Sequence, residues 1–141
     1  MGPSIVLDTN VLVAGLRSRR GASYRLLSRV GDGSFVACVS VGLVFEYEAV
    51  LKRPGNGLAL TPGEVDDVLD YLVASSRCQE IHFLWRPTLR DPSDDMVLEV
   101  AVAAGAERIV TFNTRDFAGS EAFGVSAVTP GGFLAEMEDR S

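Results

Sequence analysis

The sequence contains little of several residue types that build common functional sites. Among 141 residues it has one histidine and two cysteines, Cys38 and Cys78, which lie far apart in the sequence. This excludes a zinc site of clustered cysteines and a disulfide framework, and it predicts free thiols in a reducing cytoplasm. No apolar run approaches the roughly 20 residues of a membrane span, and the N-terminus lacks the basic start of a signal peptide. We therefore expect a soluble, cytoplasmic protein with no membrane partner.

Positive charge is also scarce. Thirteen basic residues stand against nineteen acidic ones, which gives a net charge of −6. This argues against a protein that coats nucleic acid by charge alone, but it leaves room for an enzyme whose carboxylates hold metal ions beside a phosphodiester. Residues 1–30 are the exception, with five arginines and a single acid, Asp8. Three of those arginines (Arg17, Arg19 and Arg20) lie in a loop that either contacts the phosphate backbone of a nucleic acid or is simply solvated.

The hydrophobic pattern predicts an α/β fold. Hydrophobic residues make up 47% and charged residues 23%, as in a globular domain, and the length fits one domain over residues 1–141. Short apolar runs predict five strands, at 4–7, 35–39, 80–84, 108–111 and 125–128. Helical segments separate most of them, and a helix opened by Asp94 or Asp95 ends at Gly105. Strands that are apolar on both faces and separated by helices predict a short, mainly parallel five-stranded sheet in a three-layer α/β/α sandwich.

Acidic side chains recur after the predicted strands. Asp8 follows the first strand, Glu46 lies on the helix after the second, Asp95 begins the helix before the fourth, and Asp116 follows the fourth. Ligands of parallel sheets bind at the carboxyl ends of strands. Carboxylates that converge there stay ionised together only if a cation compensates them, and oxygen ligands select Mg²⁺ or Mn²⁺. The sequence therefore predicts a metal site that lets water attack a phosphate.

Each of these acids also has an ordinary structural explanation, and the spacing alone leaves both open. Asp8 can cap the following helix, and Glu46 can be a surface residue. Asp91 and Asp94 fit turn and capping roles, because the N-terminus of a helix favours negative charge. Asp95 is less easily explained so, because one edge of its helix leads from it into the core. Asp116 and its neighbour Asn113 fit turns stabilised by their own side chains.

Four segments of the chain resemble the motifs of PIN domains. They are Ile5-Val6-Leu7-Asp8-Thr9-Asn10, Val44-Phe45-Glu46-Tyr47, Asp94-Asp95-Met96-Val97-Leu98 with Ile109-Val110-Thr111, and Asn113-Thr114-Arg115-Asp116-Phe117. The motifs occur in the family's order, and the resemblance covers the whole chain. PIN domains are three-layer α/β/α folds, and many are Mg²⁺- or Mn²⁺-dependent ribonucleases. Bacterial and archaeal single-domain members are often toxins of toxin–antitoxin pairs, bound by a small antitoxin and frequently dimeric.

The resemblance implies a role for each matched position. Asp8, Glu46, Asp95 and Asp116 would be the catalytic acids that hold Mg²⁺ or Mn²⁺ while the protein hydrolyses RNA phosphodiester bonds. Thr9, Asn10, Thr111 and Asn113 would orient those ligands and the water. The chain departs from the family at Asn113, where many members carry Asp. Because an amide brings no charge, this leaves open whether one metal ion or two bind. The implied assembly is a homodimeric type II toxin with an antitoxin partner.

Two other functions are compatible with the sequence. One is a non-catalytic PIN-like interaction module in which Asn113 marks a decayed site, and failure to bind Mn²⁺ would favour it. The other is a haloacid-dehalogenase-like phosphohydrolase, which also places an Asp at the end of its first strand. That class needs a second Asp two residues later, where this chain has Asn10, and a phosphate-binding lysine, whereas Lys52 follows the wrong element.

Overall fold

A computed structural model describes residues 2–81, 89 and 91–140. Five strands and six helices occur within these ranges, together with two short 3-10 helices, Thr114–Phe117 and Ser120–Phe123. The strands are β1 (Ser4–Leu7), β2 (Val36–Val39), β3 (Arg77–Cys78), β4 (Arg108–Val110) and β5 (Ser126–Val128). The helices are α1 (Thr9–Arg17), α2 (Ala22–Leu27), α3 (Val41–Leu51), α4 (Pro62–Ala74), α5 (Pro92–Ala104) and α6 (Pro130–Arg140).

The five strands form one parallel sheet in the order β3-β2-β1-β4-β5, and helices flank it. This confirms the predicted α/β fold. In register, Ile5 of the central strand β1 lies beside Ala37 of β2 and Arg108 of β4. The chain leaves β1 through β2 and β3 on one side and returns to β4 and β5 on the other. The strand order therefore reverses between β1 and β4, which is where sheets of this kind open a crevice for ligands.

The core lies around the central strands. Ile5, Val6 and Leu7 of β1 are at most 1% exposed, and Ile109 and Val110 of β4 are fully buried. Strands that are covered by helices on both faces have such continuous apolar runs. None of the helices within the described ranges is long and apolar enough to cross a membrane.

Helix caps fix several boundaries that the sequence indicates. Thr61 and Glu64 form the capping box of α4, with both reciprocal hydrogen bonds in place. The start of α5 differs from the prediction. Asp91 caps this helix by accepting a hydrogen bond from the Ser93 amide at 2.9 Å, and Pro92 is its first residue. Both Asp94 and Asp95 therefore lie within its first turn rather than at its cap.

The strand predicted at 80–84 is wrong. The third strand is Arg77–Cys78, which pairs with Cys38 and Val39, while residues 80 and 81 are not in a strand and 82–84 lie outside the described residues. Both residues of this edge strand are exposed, so it has no apolar signal. The guanidinium of Arg77 anchors it by donating to the Ala104 carbonyl oxygen at 2.9 Å.

Candidate functional site

Asp8 lies at the carboxyl end of β1, at the point where the strand order reverses. Its backbone amide donates to the Val110 carbonyl oxygen of β4 at 2.9 Å, which keeps the ends of the two strands together. The Thr111 hydroxyl donates to Asp8 Oδ2 at 2.7 Å, and the Thr9 amide donates to Oδ1 at 2.8 Å. Asp8 is 9% exposed, and Thr111 is fully buried. The Asp8 carboxylate is thus held by both oxygens in one orientation, while it also caps α1.

Thr111 connects Asp8 to the polar residues around it. Its Oγ1 accepts hydrogen bonds from the Asn113 amide at 3.0 Å and from Asn10 Nδ2 at 3.5 Å. The Phe112 amide in turn donates to Asn10 Oδ1 at 3.5 Å. The structure therefore brings together the four residues expected to orient the site, although Thr9 and Asn113 contribute through their backbone amides. The side chain of Asn113 is exposed to solvent.

Two residues of α3, the helix that follows β2, contact elements next to Asp8. Glu46 accepts a hydrogen bond from the Ser93 hydroxyl at 3.0 Å, which connects α3 to the first turn of α5. Tyr47 is buried, and its hydroxyl donates to the Leu7 carbonyl oxygen at 2.5 Å, one residue before Asp8. Burial and the charge of Asp8 raise the pKa of Tyr47 well above its usual range, so the phenol stays protonated. The sequence indicates only a core residue at this position.

The Tyr47 contact can be tested through stability. Tyr47→Phe keeps the ring and removes the hydroxyl that satisfies the Leu7 carbonyl oxygen. We expect a loss of about 1 kcal/mol in the free energy of unfolding, the usual result of deleting one partner of a buried hydrogen bond. Urea unfolding of the parent and the variant measures this difference. An unchanged unfolding midpoint would show that the hydroxyl does not help to hold α3 against β1.

Asp94 has the most strongly perturbed carboxyl of the region. It is half-buried in the first turn of α5, and its pKa is raised to about 6. Burial is the largest cause, followed by the charges of Asp8, Asp91, Asp116 and Asp95. These five residues are called the aspartate group below. Each of the other four negative charges raises the cost of ionising Asp94, so the ionised carboxylates of this group repel the Asp94 carboxylate.

Opposing contributions act on the Asp8 carboxyl. Burial raises its pKa most, the hydrogen bonds from Thr111 and Thr9 lower it, and the charges of Asp116 and Asp91 raise it again. The net pKa is above the usual range. An ionised Asp8 is therefore costly as the group stands, and a cation between these carboxylates would relieve that cost.

Asp95 has different surroundings from Asp94, although the two are adjacent in sequence. Asp95 is 6% exposed, and its Oδ1 accepts a hydrogen bond from the Leu89 amide at 3.0 Å. Its charge also contributes to raising the pKa of Glu99, after burial. The sequence favours Asp95 as the ligand, while the structure couples Asp94 to the charge of Asp8. The sequence assigned only turn and capping roles to Asp91 and Asp94, and both belong to the aspartate group.

The donor chemistry of the aspartate group fits a hard divalent cation. Carboxylate oxygens predominate, with the hydroxyl oxygen of Thr111 2.7 Å from Asp8, and Mg²⁺ and Mn²⁺ prefer oxygen ligands. Within the part of the chain that the structure describes, no three histidine, cysteine or acidic side chains already stand close enough to hold a metal ion. The residue types therefore suit the ion, and a cation would have to draw the carboxylates together.

The arginines expected to contact RNA lie away from Asp8. Arg17 ends α1, and its guanidinium donates to the Asn56 carbonyl oxygen at 2.7 Å. Because α1 has nine residues, this end lies about 14 Å along the helix from Asp8. Arg19 and Arg20 are exposed just beyond it. Among the described residues, Arg115 is an arginine next to the aspartate group: it is exposed and immediately precedes Asp116.

Comparisons with known proteins agree with this fold. The model of the family described as "PIN domain" matches residues 4–115. A structure of VapBC2 from Rickettsia felis bound to a DNA fragment from their promoter is similar, with 14% identity, a TM-score of 0.57, and coverage of 89% of this chain and 98% of that chain. A domain of a functionally unknown protein from Methanocaldococcus jannaschii DSM 2661 has 17% identity, a TM-score of 0.50, and 91% coverage of each chain. At these identities the likeness shows the fold. None of the curated proteins matches the sequence.

Proposed function

The chain belongs to the PIN domain family, whose members are generally nucleases, and from this premise we propose that it is a metal-dependent endoribonuclease. The observation that carries the proposal is the aspartate group. Its members lie around the reversal of strand order, and their charges, after burial, raise the pKa of Asp94 and of Asp8. A region of repelling carboxylates, several of them partly buried, is typical of a cation-binding catalytic site.

The residues of the chain divide the work of phosphodiester hydrolysis. When bound, Mg²⁺ or Mn²⁺ supplies charge neutralisation at the phosphate and lowers the pKa of the attacking water. Asp8, Asp94 and Asp116 would hold the cation from three elements, with Asp95 and Glu46 completing the acidic set. Thr111 and Asn10 keep Asp8 in one orientation through the bonds described above. The hydrolysis needs no covalent intermediate, so neither cysteine is required.

The substrate and partners follow from the same family membership. We propose RNA as the substrate, a small antitoxin protein as the partner, and a homodimer as the assembly, as in a type II toxin. The support is the resemblance of all four motifs and the fold shared with VapBC2 from Rickettsia felis. The haloacid-dehalogenase-like alternative loses its support, because the family model matches and Asn10 is tied to Thr111 where that class needs an acid.

The test is cleavage of an end-labelled single-stranded RNA in excess Mn²⁺, with EDTA as the control. We expect cleavage with Mn²⁺ and none with EDTA, because the carboxylates cannot hold a phosphate without a cation. Calorimetric titration with Mn²⁺ shows independently whether the ion binds. A folded protein that neither binds Mn²⁺ nor cleaves RNA would contradict the proposal and favour the non-catalytic interaction module.

A further inference from the structure

Phe112 is an exposed aromatic residue that directly follows Thr111, the hydrogen-bond partner of Asp8. Its side chain is 49% exposed, although it directly follows Thr111, which is fully buried and holds Asp8. Adjacent residues are about 3.8 Å apart between their Cα atoms, so the backbone of Phe112 lies at the rim of the site. A single exposed aromatic residue is common on protein surfaces and needs no explanation by itself. Phe112 differs from other exposed aromatic residues because it follows a residue that holds Asp8 and because hydrogen bonds fix its backbone.

The backbone that carries Phe112 is held on both sides. The Thr111 amide donates to the Val128 carbonyl oxygen of β5 at 2.9 Å, and the Asn113 amide donates to Thr111 Oγ1 at 3.0 Å. The Phe112 amide itself donates to Asn10 Oδ1 at 3.5 Å. Phe117, which is 1% exposed, anchors the following 3-10 helix in the core. A ring on a braced backbone loses little freedom when it makes a contact, which favours its use in binding.

The residues after Phe112 provide the polar part of a nucleotide-binding surface. Asn113, Thr114 and Arg115 are exposed on the same loop, and Asp116 follows them. An aromatic face binds the face of a base, and an arginine can contact a phosphate of the same strand. The loop thus has an aromatic residue, Phe112, before the exposed Asn113 and Thr114 and a cation, Arg115, after them. Asp116 of the aspartate group comes next.

We propose that Phe112 stacks against a base next to the scissile phosphate and thereby makes the protein select single-stranded RNA. The inference rests on the proposed function, because it assumes that RNA enters the site. Bases of a single strand can be splayed out and stacked on an aromatic side chain, whereas a paired base must first leave its duplex, which costs free energy. Stacking tolerates any base, so it selects for strandedness rather than for sequence.

The experiment compares three variants with the parent protein. Phe112→Leu keeps an apolar side chain without a π-face, Phe112→Trp keeps the π-face, and Phe45→Leu is a matched control. Phe45 is 63% exposed on α3, where it borders a surface groove between α3 and α4. The probes are a fluorescein-labelled single-stranded RNA and the same strand annealed to its complement. Polarisation in Ca²⁺ gives Kd, and initial rates in Mn²⁺ give kcat and KM.

We expect Phe112→Leu to raise Kd and KM for the single strand about 10-fold, with kcat changed less than about twofold. Phe112→Trp and Phe45→Leu should stay close to the parent, and none of the variants should affect the duplex. Equal single-strand values for Phe112→Leu and the parent would overturn the inference while leaving the nuclease intact. Equal losses in Phe112→Leu and Phe112→Trp would also overturn it, since the role would then be structural.

The binding measurement separates the inference from the proposed function. If the parent binds single-stranded RNA but cleaves none, the proposed function fails, and the Kd values of the variants still decide the role of Phe112. If the parent binds no RNA in Ca²⁺ or in Mn²⁺, the proposed function and the role of Phe112 are both overturned. Melting temperatures of all four proteins show that any difference in Kd comes from a folded chain.

Discussion

Asp8→Asn is expected to reduce the rate of RNA cleavage about 1000-fold without unfolding the protein. The substitution removes the negative charge that lies at the meeting point of β1 and β4 and keeps the shape of the side chain. The amide oxygen can still accept from the Thr9 amide. The bond from the Thr111 hydroxyl to Oδ2 is lost, because Thr111 Oγ1 already accepts from the Asn113 amide and Asn10 Nδ2, but the loss is offset because no charge has to be buried. Burial raises the pKa of Asp8, so a neutral side chain is easier to bury there, and stability should be unchanged or slightly higher.

Cleavage rates and melting temperatures of Asp8→Asn and the parent, measured in EDTA and in Mn²⁺, check this expectation. Asp70→Asn is the matched control, because Asp70 is an exposed aspartate of α4 outside the aspartate group. Mn²⁺ should raise the melting temperature of the parent and of the control, and that of Asp8→Asn much less. Two results would contradict the prediction. Cleavage by Asp8→Asn at the parent's rate would remove Asp8 from the chemistry, and a variant that unfolds would show that Asp8 serves mainly as a helix cap.

The central strands were predictable because of their burial. β1 and β4 have helices on both faces, so their residues form continuous apolar runs that end within one residue of the predicted positions. β3 was not predictable for the opposite reason. It contains two exposed residues at the edge of the sheet, and its position depends on pairing with Cys38 and Val39 and on the bond from Arg77 to Ala104. Contacts between residues so distant in sequence leave no local pattern.

The site was predictable where it follows a strand and unpredictable where it depends on the rotation of a helix. Asp8 and Thr111 come directly after buried strands, so the sheet brings them together. Asp94 and Asp95 are consecutive in a helix of 3.6 residues per turn, so their side chains point about 100° apart. Which of them faces Asp8 depends on where α5 begins and how it packs. The Asp91 cap sets where α5 begins, and the bond from the Leu89 amide holds Asp95; neither contact leaves a local pattern in the sequence.

Asp94→Asn is expected to stabilise the metal-free protein and to impair the nuclease. Burial and four neighbouring negative charges raise the pKa of Asp94 to about 6, so at neutral pH its ionised form costs folding free energy. Removing the charge should increase the free energy of unfolding in EDTA by about 1 kcal/mol, a gain that screening limits because Asp94 is only half-buried. The gain should decrease as the pH falls below about 6, where Asp94 of the folded parent becomes protonated, and disappear near 3.8, where the unfolded chain is protonated too.

The same substitution should lower the rate of cleavage about 100-fold, because it removes one of the charges that hold the cation. Urea unfolding in EDTA across this pH range and cleavage in Mn²⁺ measure the two effects. Asp95→Asn is the matched comparison, since Asp95 is adjacent but its Oδ1 accepts from the Leu89 amide. A gain in metal-free stability with Asp95→Asn and none with Asp94→Asn would reverse the assignment and return the position beside Asp8 to Asp95. If Asp94→Asn raises the free energy of unfolding in EDTA and also lowers the rate of cleavage, the Asp94 carboxylate destabilises the metal-free protein and binds the cation. Such a cost in stability is expected at a residue that is kept for its chemistry.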